Sequence, residues 1–402
     1  MKILMFSTDP SILRHGSPAY ERMREYARAL GELHIVLPGN GEETKEDGNL
    51  FIHPARGDGI LGRLHCYGIA KKILLQSRFD VITVQGPDEV GLTGYLLAKK
   101  FGLPFQLQIH TDIMSPWYRR AGIKERIRYH IAGFLIPRAG CIRAVSERIK
   151  KSIIEFGIPH PNLPPSYEGG RSTYGSLPLL KEGGGRGWGI TVLPVYTDLS
   201  KFLNAKANPE IDKRFKNYSF KMIAVGRFID KEKNFSMLID MMREFVKVCP
   251  GALLVLVGDG PDRVNYESRI MNHGLQKDVI IEGWRDDLAS FYKSFDLFLL
   301  PSNYEGWGRA VIEAMAAGLP VVMTDVGLAG EVVKDGVNGR VVPVGDIRAM
   351  REAVKELYDN KEMRIGFVHR GQEQIQKMAQ MHQEDYLFDY KKSFELCKLA
   401  AG

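Results

Sequence analysis

"FLLPSNYEGWGRAVIEAMAAGLPVV" runs from Phe298 to Val322 and sets Glu305 and Glu313 eight positions apart. An apolar run ends at Pro301, a Gly-Trp-Gly turn follows, and an apolar helix pattern begins near Arg309. Gly306 and Gly308 let a backbone approach a ligand more closely than a residue with a Cβ. Trp307 between them reads as exposed. The first amides of the helix, around Arg309 and Ala310, lack partners within the helix and form the positive end of its dipole, which suits a phosphate. Glu313, about a turn further on, can accept from a ribose diol, and Glu305 stands beside whatever the phosphate bears. The bland alternative is chance, since ordinary Glu usage gives such a spacing roughly once or twice in a chain of this length. The strand before it and the glycines within it raise the pair above that level.

Outward from this stretch, the chain reads as alternating strands and helices. In the second half "FKMIAVGRF", "ALLVLVGDG", "VIIEGW", "FDLFLLP" and "LPVVMTD" are buried parallel strands, each followed by a helical segment. In the first half "KILMFS", "LHIVLP", "FDVITVQ", "PFQLQIH" and "CIRAVS" repeat the pattern. Ser17 is expected to cap a helix over about Pro18–Leu30, with Pro18 at its first position. A chain of 402 residues exceeds one ordinary core, so two doubly wound α/β domains are expected, with strand ends facing a shared cleft. Their expected bounds are 1–196 and 197–380, with 381–402 as a helix packing back on the first. Pro161–Gly189, rich in Gly, Pro and Ser, has no period and is expected to be a mobile insertion. Its "LPLLKEGGGRGW" has the look of a translated genomic repeat.

The totals restrict the function classes. Four scattered cysteines without a Cys-x-x-Cys pair argue against a disulfide framework or a zinc site and suit a reducing cytosol. The amino-terminal apolar run is too short for a signal peptide, and no run of about eighteen apolar residues marks a membrane span. A net charge of +7 favours anionic partners. No helix-turn-helix, RNP or zinc-finger signature supports nucleic acid. No Gly-x-Gly-x-x-Gly follows either first strand, which weighs against NAD-dependent oxidoreduction.

With these residues in view, the chain resembles the retaining glycosyltransferases of family 4, also called glycosyl transferases group 1, in several motifs that fall in the family's order. The opening stretch is similar to that family's Glu-x7-Glu motif. "VGRFIDKEKNFSMLI" resembles its Gly-Arg…Lys segment, giving Arg227 and Lys233; two fixed cations there can neutralise a diphosphate leaving group. "LVGDGP", with Gly258, resembles the turn near the nucleotide, and "IIEGWRDD", with Trp284, the strand bordering the nucleobase. As plain structure both are strand-to-helix turns that need glycine. "RHGSPAYE" puts Gly16 where the family has a glycine-rich loop, with one glycine where two are common. "LQIHTDI" puts His110 at a strand end, matching the family's donor-sugar histidine. "PVYTD" keeps only Pro194 and Asp198 of the usual Pro-Asn-Gly-Val-Asp.

The resemblance implies a GT-B fold of two Rossmann-like domains and a hexosyltransferase-type enzyme. It would move a sugar from a nucleoside-diphosphate sugar to an acceptor hydroxyl with retention, needing neither metal nor other cofactor. His110, Arg227, Lys233 and Glu305 would serve the chemistry; Gly16, Gly258, Trp284, Gly306, Trp307, Gly308, Arg309, Ala310 and Glu313 would bind the donor. Rival readings are a nucleotide-sugar 2-epimerase of the same fold and a non-catalytic nucleotide-binding subunit. The basic stretch around Tyr118–Ile136 reads either as a helix with a solvated face or as a dock for an anionic membrane surface. The second reading points to a cytoplasmic, peripheral enzyme acting on a glycan or lipid-linked acceptor in cell-surface polysaccharide or glycolipid synthesis.

Overall fold

The computed structural model describes residues 1–39, 43–57, 59–156 and 189–401. The expected insertion Pro161–Gly189 lies outside these, apart from Gly189. The chain divides into two compact units, Met1–Val195 with His382–Gly402, and Tyr196–Met381.

The first unit is built on β1 (Lys2–Phe6), β2 (Glu32–Pro38), β3 (Lys45–Asp47), β4 (Leu50–Ala55), β5 (Val81–Val84), β6 (Phe105–Ile109), β7 (Cys141–Ala144) and β8 (Ile190–Val192). They lie in the order β3-β4-β2-β1-β5-β6-β7-β8, parallel throughout except for the β3–β4 hairpin. Ile3 to Phe6 of central β1 are wholly buried, as a strand covered on both faces must be. The helix Pro18–Leu30 follows, with Ser17 Oγ accepting from the Tyr20 amide at 3.1 Å, the expected cap. The hairpin was not legible in advance. β3 is three residues long and pairs through Gly48, whose φ of 60° makes the turn, and β4 contains Pro54.

The second unit holds β9 (Phe220–Val225), β10 (Ala252–Val257), β11 (Val279–Glu282), β12 (Leu297–Leu300), β13 (Val321–Thr324) and β14 (Arg340–Val342). Their order is β11-β10-β9-β12-β13-β14, with β9 and β12 paired in parallel. Its core gathers Met222, Leu254, Leu256 and Leu299 from the strands with Phe235, Leu238 and Phe245 from the helix Phe235–Val248.

The last helix, Gln383–Ala401, belongs to the first unit and buries Tyr386, Tyr390, Phe394 and Cys397 there. Cys397 is joined to Cys141 of β7 across 256 residues, which corrects the expectation of no disulfide. Cysteine spacing cannot reveal a pairing that the fold creates between a strand and a helix so far apart in sequence. Cys66 and Cys249 are free and buried.

Candidate functional site

The second unit's candidate residues all follow the carboxyl ends of four adjacent strands. β9 delivers Gly226 and Arg227, β10 Gly258, β11 Trp284, and β12 the Asn303–Glu313 stretch. That edge of a parallel sheet is where such folds bind ligands.

The first two turns are packed onto each other. The Phe228 amide donates to the Asp259 carbonyl at 2.9 Å, and Gly226 to Val257 at 3.0 Å. A Cβ on Gly258, at φ 144°, would fall 1.9 Å from the Gly226 carbonyl oxygen. Packing therefore already requires this glycine, whatever it does for a ligand. Arg227 is exposed and makes no ion pair among the described residues. Trp284 is 74% exposed, its Nε1 donating to Asp286 at 3.3 Å.

Lys233 ends the short helical turn Asp230–Lys233 and reaches to Glu305, Nζ to Oε1 2.5 Å, and to Glu232 at 3.1 Å. Burial pulls the Lys233 ammonium down, but the carboxylates of Glu305 and then Glu232 more than reverse this, so its pKa stands above the ordinary lysine value. Glu305 is buried and also accepts from Ser302 Oγ at 3.0 Å. The sequence treats Lys233 and Glu305 as separate groups for diphosphate and sugar; the fold makes them one ion pair.

The Gly-Trp-Gly turn corrects another expectation. Trp307 is 5% exposed, because the chain at Val326–Gly330 folds over the turn. Leu328 donates to the Trp307 carbonyl at 3.2 Å, and a Cβ on Gly327 would lie 2.8 Å from that same oxygen. Gly306 is buried too, and Gly308, at φ 94°, occupies the cap of the helix Arg309–Ala316. Arg309 is exposed and bonds Glu313 at 3.3 Å, with Ala310 beside it in the first turn. Burial raises the Glu313 carboxyl above its ordinary value, opposed by Arg309 and Lys201. Tyr292, wholly buried, has a hydroxyl without a hydrogen-bond partner among the described residues, and it senses the Glu313 charge.

In the first unit, Gly16 has φ 76°, and beyond its chain neighbours no atom of the described residues lies within 4 Å of where its Cβ would be. It precedes the Pro18–Leu30 helix. His110 follows β6, with Nε2 shielded and unpartnered among the described residues. Burial, with Arg143 and Arg22 adding to it, pushes His110 down to about 3, so the imidazole is neutral at ordinary pH. A neutral ring can donate or accept a hydrogen bond but adds no charge. No group of three His, Cys, Asp or Glu side chains is placed to hold a metal among the described residues.

Sequence reading did not single out Ser302, Asn303 or Asn234. Asn303 and Asn234 join the two motif segments across 69 residues, a pairing with no one-dimensional signal.

Two doubly wound parallel sheets, with a Gly-Arg…Lys turn and a Glu-x7-Glu helix start in the second, define a protein of the GT-B fold. Residues 208–374 match the family model described as glycosyl transferases group 1, and residues 19–163 that of glycosyltransferase family 4. The chain belongs to this glycosyltransferase family. It is 32% identical over 154 residues to the lipopolysaccharide core biosynthesis glycosyltransferase LpsE of Rhizobium meliloti, covering 38% of this chain and 44% of that protein. It is 29% identical over 185 residues to the UDP-Gal:alpha-D-GlcNAc-diphosphoundecaprenol alpha-1,3-galactosyltransferase of Escherichia coli, covering 44% of this chain and 47% of that one. The chain thus matches less than half the length of these two relatives. Among solved structures, Anabaena HepE in complex with UDP superposes with a TM-score of 0.67 at 20% identity, over 94% of this chain and 95% of that one.

Proposed function

We propose that this protein transfers a sugar from a nucleoside-diphosphate sugar to an acceptor hydroxyl with retention of configuration, in cell-surface polysaccharide or glycolipid synthesis. The observation that carries the reading is the buried Lys233–Glu305 pair beside the Arg309–Ala316 helix start, with Glu313 within that helix. Arg227, exposed at the neighbouring strand end, and Lys233 would neutralise the diphosphate as the donor's glycosidic C–O bond breaks. Glu305 would hold the sugar's hydroxyls and Glu313 the ribose. The acceptor oxygen would form the new bond to the anomeric carbon on the face the diphosphate leaves, and its proton would pass to a leaving phosphate oxygen. His110 would offer a neutral hydrogen bond to the donor sugar, and no metal or other cofactor is invoked.

The UDP complex of HepE supports a nucleotide donor, and the names of the Rhizobium and Escherichia relatives support lipopolysaccharide or lipid-linked acceptors. The helix Ile123–Leu135 adds a physical reason for a lipid surface. It exposes Ile123 and Ile127, with Trp117 exposed just before it, among Arg119, Arg120, Lys124 and Arg126. No helix among the described residues is long and apolar enough to cross a membrane, so such docking would be peripheral.

A thermal-shift panel of UDP-, GDP- and ADP-sugars tests the reading, since a ligand at 100-fold its dissociation constant adds about 2.7 kcal/mol. The stabilising donor is then incubated with a lipid-linked acceptor and the product's anomeric configuration read by NMR. An inverted product would refute retention, and free sugar or an epimerised donor formed without acceptor would refute transfer.

A further inference from the structure

Lys233 sits in a segment that one residue of the Glu305 loop, Asn303, grips at three points. Asn303, three residues beyond β12, donates from its backbone amide to the Glu232 carbonyl at 2.8 Å and from Nδ2 to the Lys231 carbonyl at 3.2 Å. Its Oδ1 accepts from Asn234 Nδ2 at 3.1 Å. Three hydrogen bonds from one residue thus bind positions 231, 232 and 234, surrounding Lys233 in the chain. Two residues after Asn303 comes Glu305, the partner of Lys233.

Asn234 is unusual in its own right. It is the only non-glycine residue with positive φ among the described residues, at φ 51° and ψ 41°, where the turn Asp230–Lys233 meets the helix Phe235–Val248. Glycine adopts that conformation without a Cβ penalty, whereas asparagine tolerates it and brings an amide. Here that amide is spent on Asn303 and on a weaker 3.5 Å contact to Met237 Sδ. The backbone geometry explains a glycine at this position; the side chain's use explains the asparagine.

We propose that Asn303 and Asn234 form a latch that positions the Lys233 ammonium against Glu305, and so fixes the cation that meets a diphosphate. They are positioning residues acting through Lys233, and the proposal rests on the reading of Lys233 as a diphosphate ligand. Lys233 has a long, flexible stem, so the angle at which its ammonium is presented depends on the backbone that holds it. Without the latch side chains, the loop that presents Lys233 keeps its bonds within Asp230–Ser236 and the backbone bond from Asn303 to the Glu232 carbonyl, but loses the side-chain ties that flank Lys233.

The test compares Asn234→Gly, which keeps the left-handed backbone and deletes the amide, with Asn303→Ala and Lys233→Ala. Affinities are measured by calorimetry for whichever of UDP, GDP and ADP raises the melting temperature most, and for the matching monophosphate. Asn234→Gly, which deletes the one bond to Asn303, should weaken diphosphate binding about three- to tenfold, and Asn303→Ala, which deletes two side-chain bonds, at least as much; both should leave monophosphate binding and the melting temperature nearly unchanged. In a Lys233→Ala background Asn234→Gly should have no further effect on the diphosphate. Equal loss for diphosphate and monophosphate, or full additivity with Lys233→Ala, would overturn the latch. If Lys233→Ala itself spares the diphosphate preference, or if no nucleoside diphosphate binds, the reading of Lys233 fails, and the latch with it.

Discussion

Glu305 receives both the Lys233 ammonium and the Ser302 hydroxyl on one oxygen, Oε1. Glu305→Gln keeps the volume and leaves Lys233 with Glu232 as its anion at 3.1 Å, so the fold should survive. Turnover at saturating donor should nevertheless fall at least about tenfold, because the carboxylate proposed to hold the donor sugar's hydroxyls and to pair with the Lys233 ammonium is lost. Glu313→Ala, one helical stretch away, should instead raise the dissociation constant of the nucleotide with a smaller change in kcat. An unchanged kcat for Glu305→Gln would remove that residue from the chemistry. A second residue-scale expectation concerns acid. His34 Nδ1 and His53 Nε2 share a hydrogen bond at 3.0 Å, while Glu32 meets His34 at 2.7 Å and Thr44 meets His53 at 3.0 Å. Burial, then the neighbouring His34, pushes His53 down from 6.5 to about 4. A depressed histidine favours the folded state when neutral, so its contribution is complete above pH 6.5 and lost as pH falls towards 4. The loss is on the order of 3 kcal/mol. Chemical unfolding at pH 7 and pH 4.5 should show His53→Gln to be the less acid-sensitive protein. Equal slopes in wild type and variant would place the acid sensitivity elsewhere.

At the scale of elements, the basic helix Ile123–Leu135 has a testable surface. Arg128 is held by Glu89 at 3.0 Å and Arg119 lies over the Tyr129 ring, whereas Arg120, Lys124 and Arg126 make no ion pair among the described residues. Each free cation near an anionic surface contributes about 1 kcal/mol, and the exposed Ile123 and Ile127 add apolar contact. Sedimentation should therefore recover the protein with anionic vesicles at low salt and lose it at high salt. Changing Arg120, Lys124 and Arg126 to glutamine should abolish recovery; equal recovery with neutral vesicles would make this face an ordinary solvated one. Elements were the most legible level of the sequence. Ser17 before Pro18 announced its helix, and the apolar run 297–300 before Gly-Trp-Gly announced a strand, a turn and the helix from Arg309. Contacts between elements were not legible. Trp307 reads as exposed because nothing local shows the Val326–Gly330 turn packing on it, and the Lys233–Glu305 pair is not visible because the two residues are 72 apart.

The molecule as a whole completes its first unit with its last residues. Arg143 of β7 is 1% exposed, and no carboxylate pairs with it among the described residues. Its guanidinium donates to Gln108 Oε1 at 2.8 Å, the Leu193 carbonyl at 2.9 Å and the Tyr386 hydroxyl at 2.9 Å, and lies over the Tyr390 ring. Gln108 Nε2 in turn donates to Tyr390, and Gln106 Nε2 to Ser393 Oγ at 3.2 Å. A buried cation is tolerable only while such partners surround it. Deleting residues 382–402 would remove two of them and strip three buried rings, Tyr386, Tyr390 and Phe394, each worth roughly 1.5–3 kcal/mol. That sum is comparable with the whole stability of a domain, about 5–15 kcal/mol. The second unit's core cluster is drawn from positions 220 to 367, outside the deleted segment. Hydrogen exchange on the truncated chain should therefore show β6 and β7 unprotected while β9, β10 and β12 keep their protection. Arg143→Met in the full chain separates the two causes. It removes the charge and keeps the apolar volume, so the first unit should stay folded with Tyr386 and Tyr390 still buried. Retained protection of β6 and β7 after the deletion would mean that the sheet stands without its closing helix.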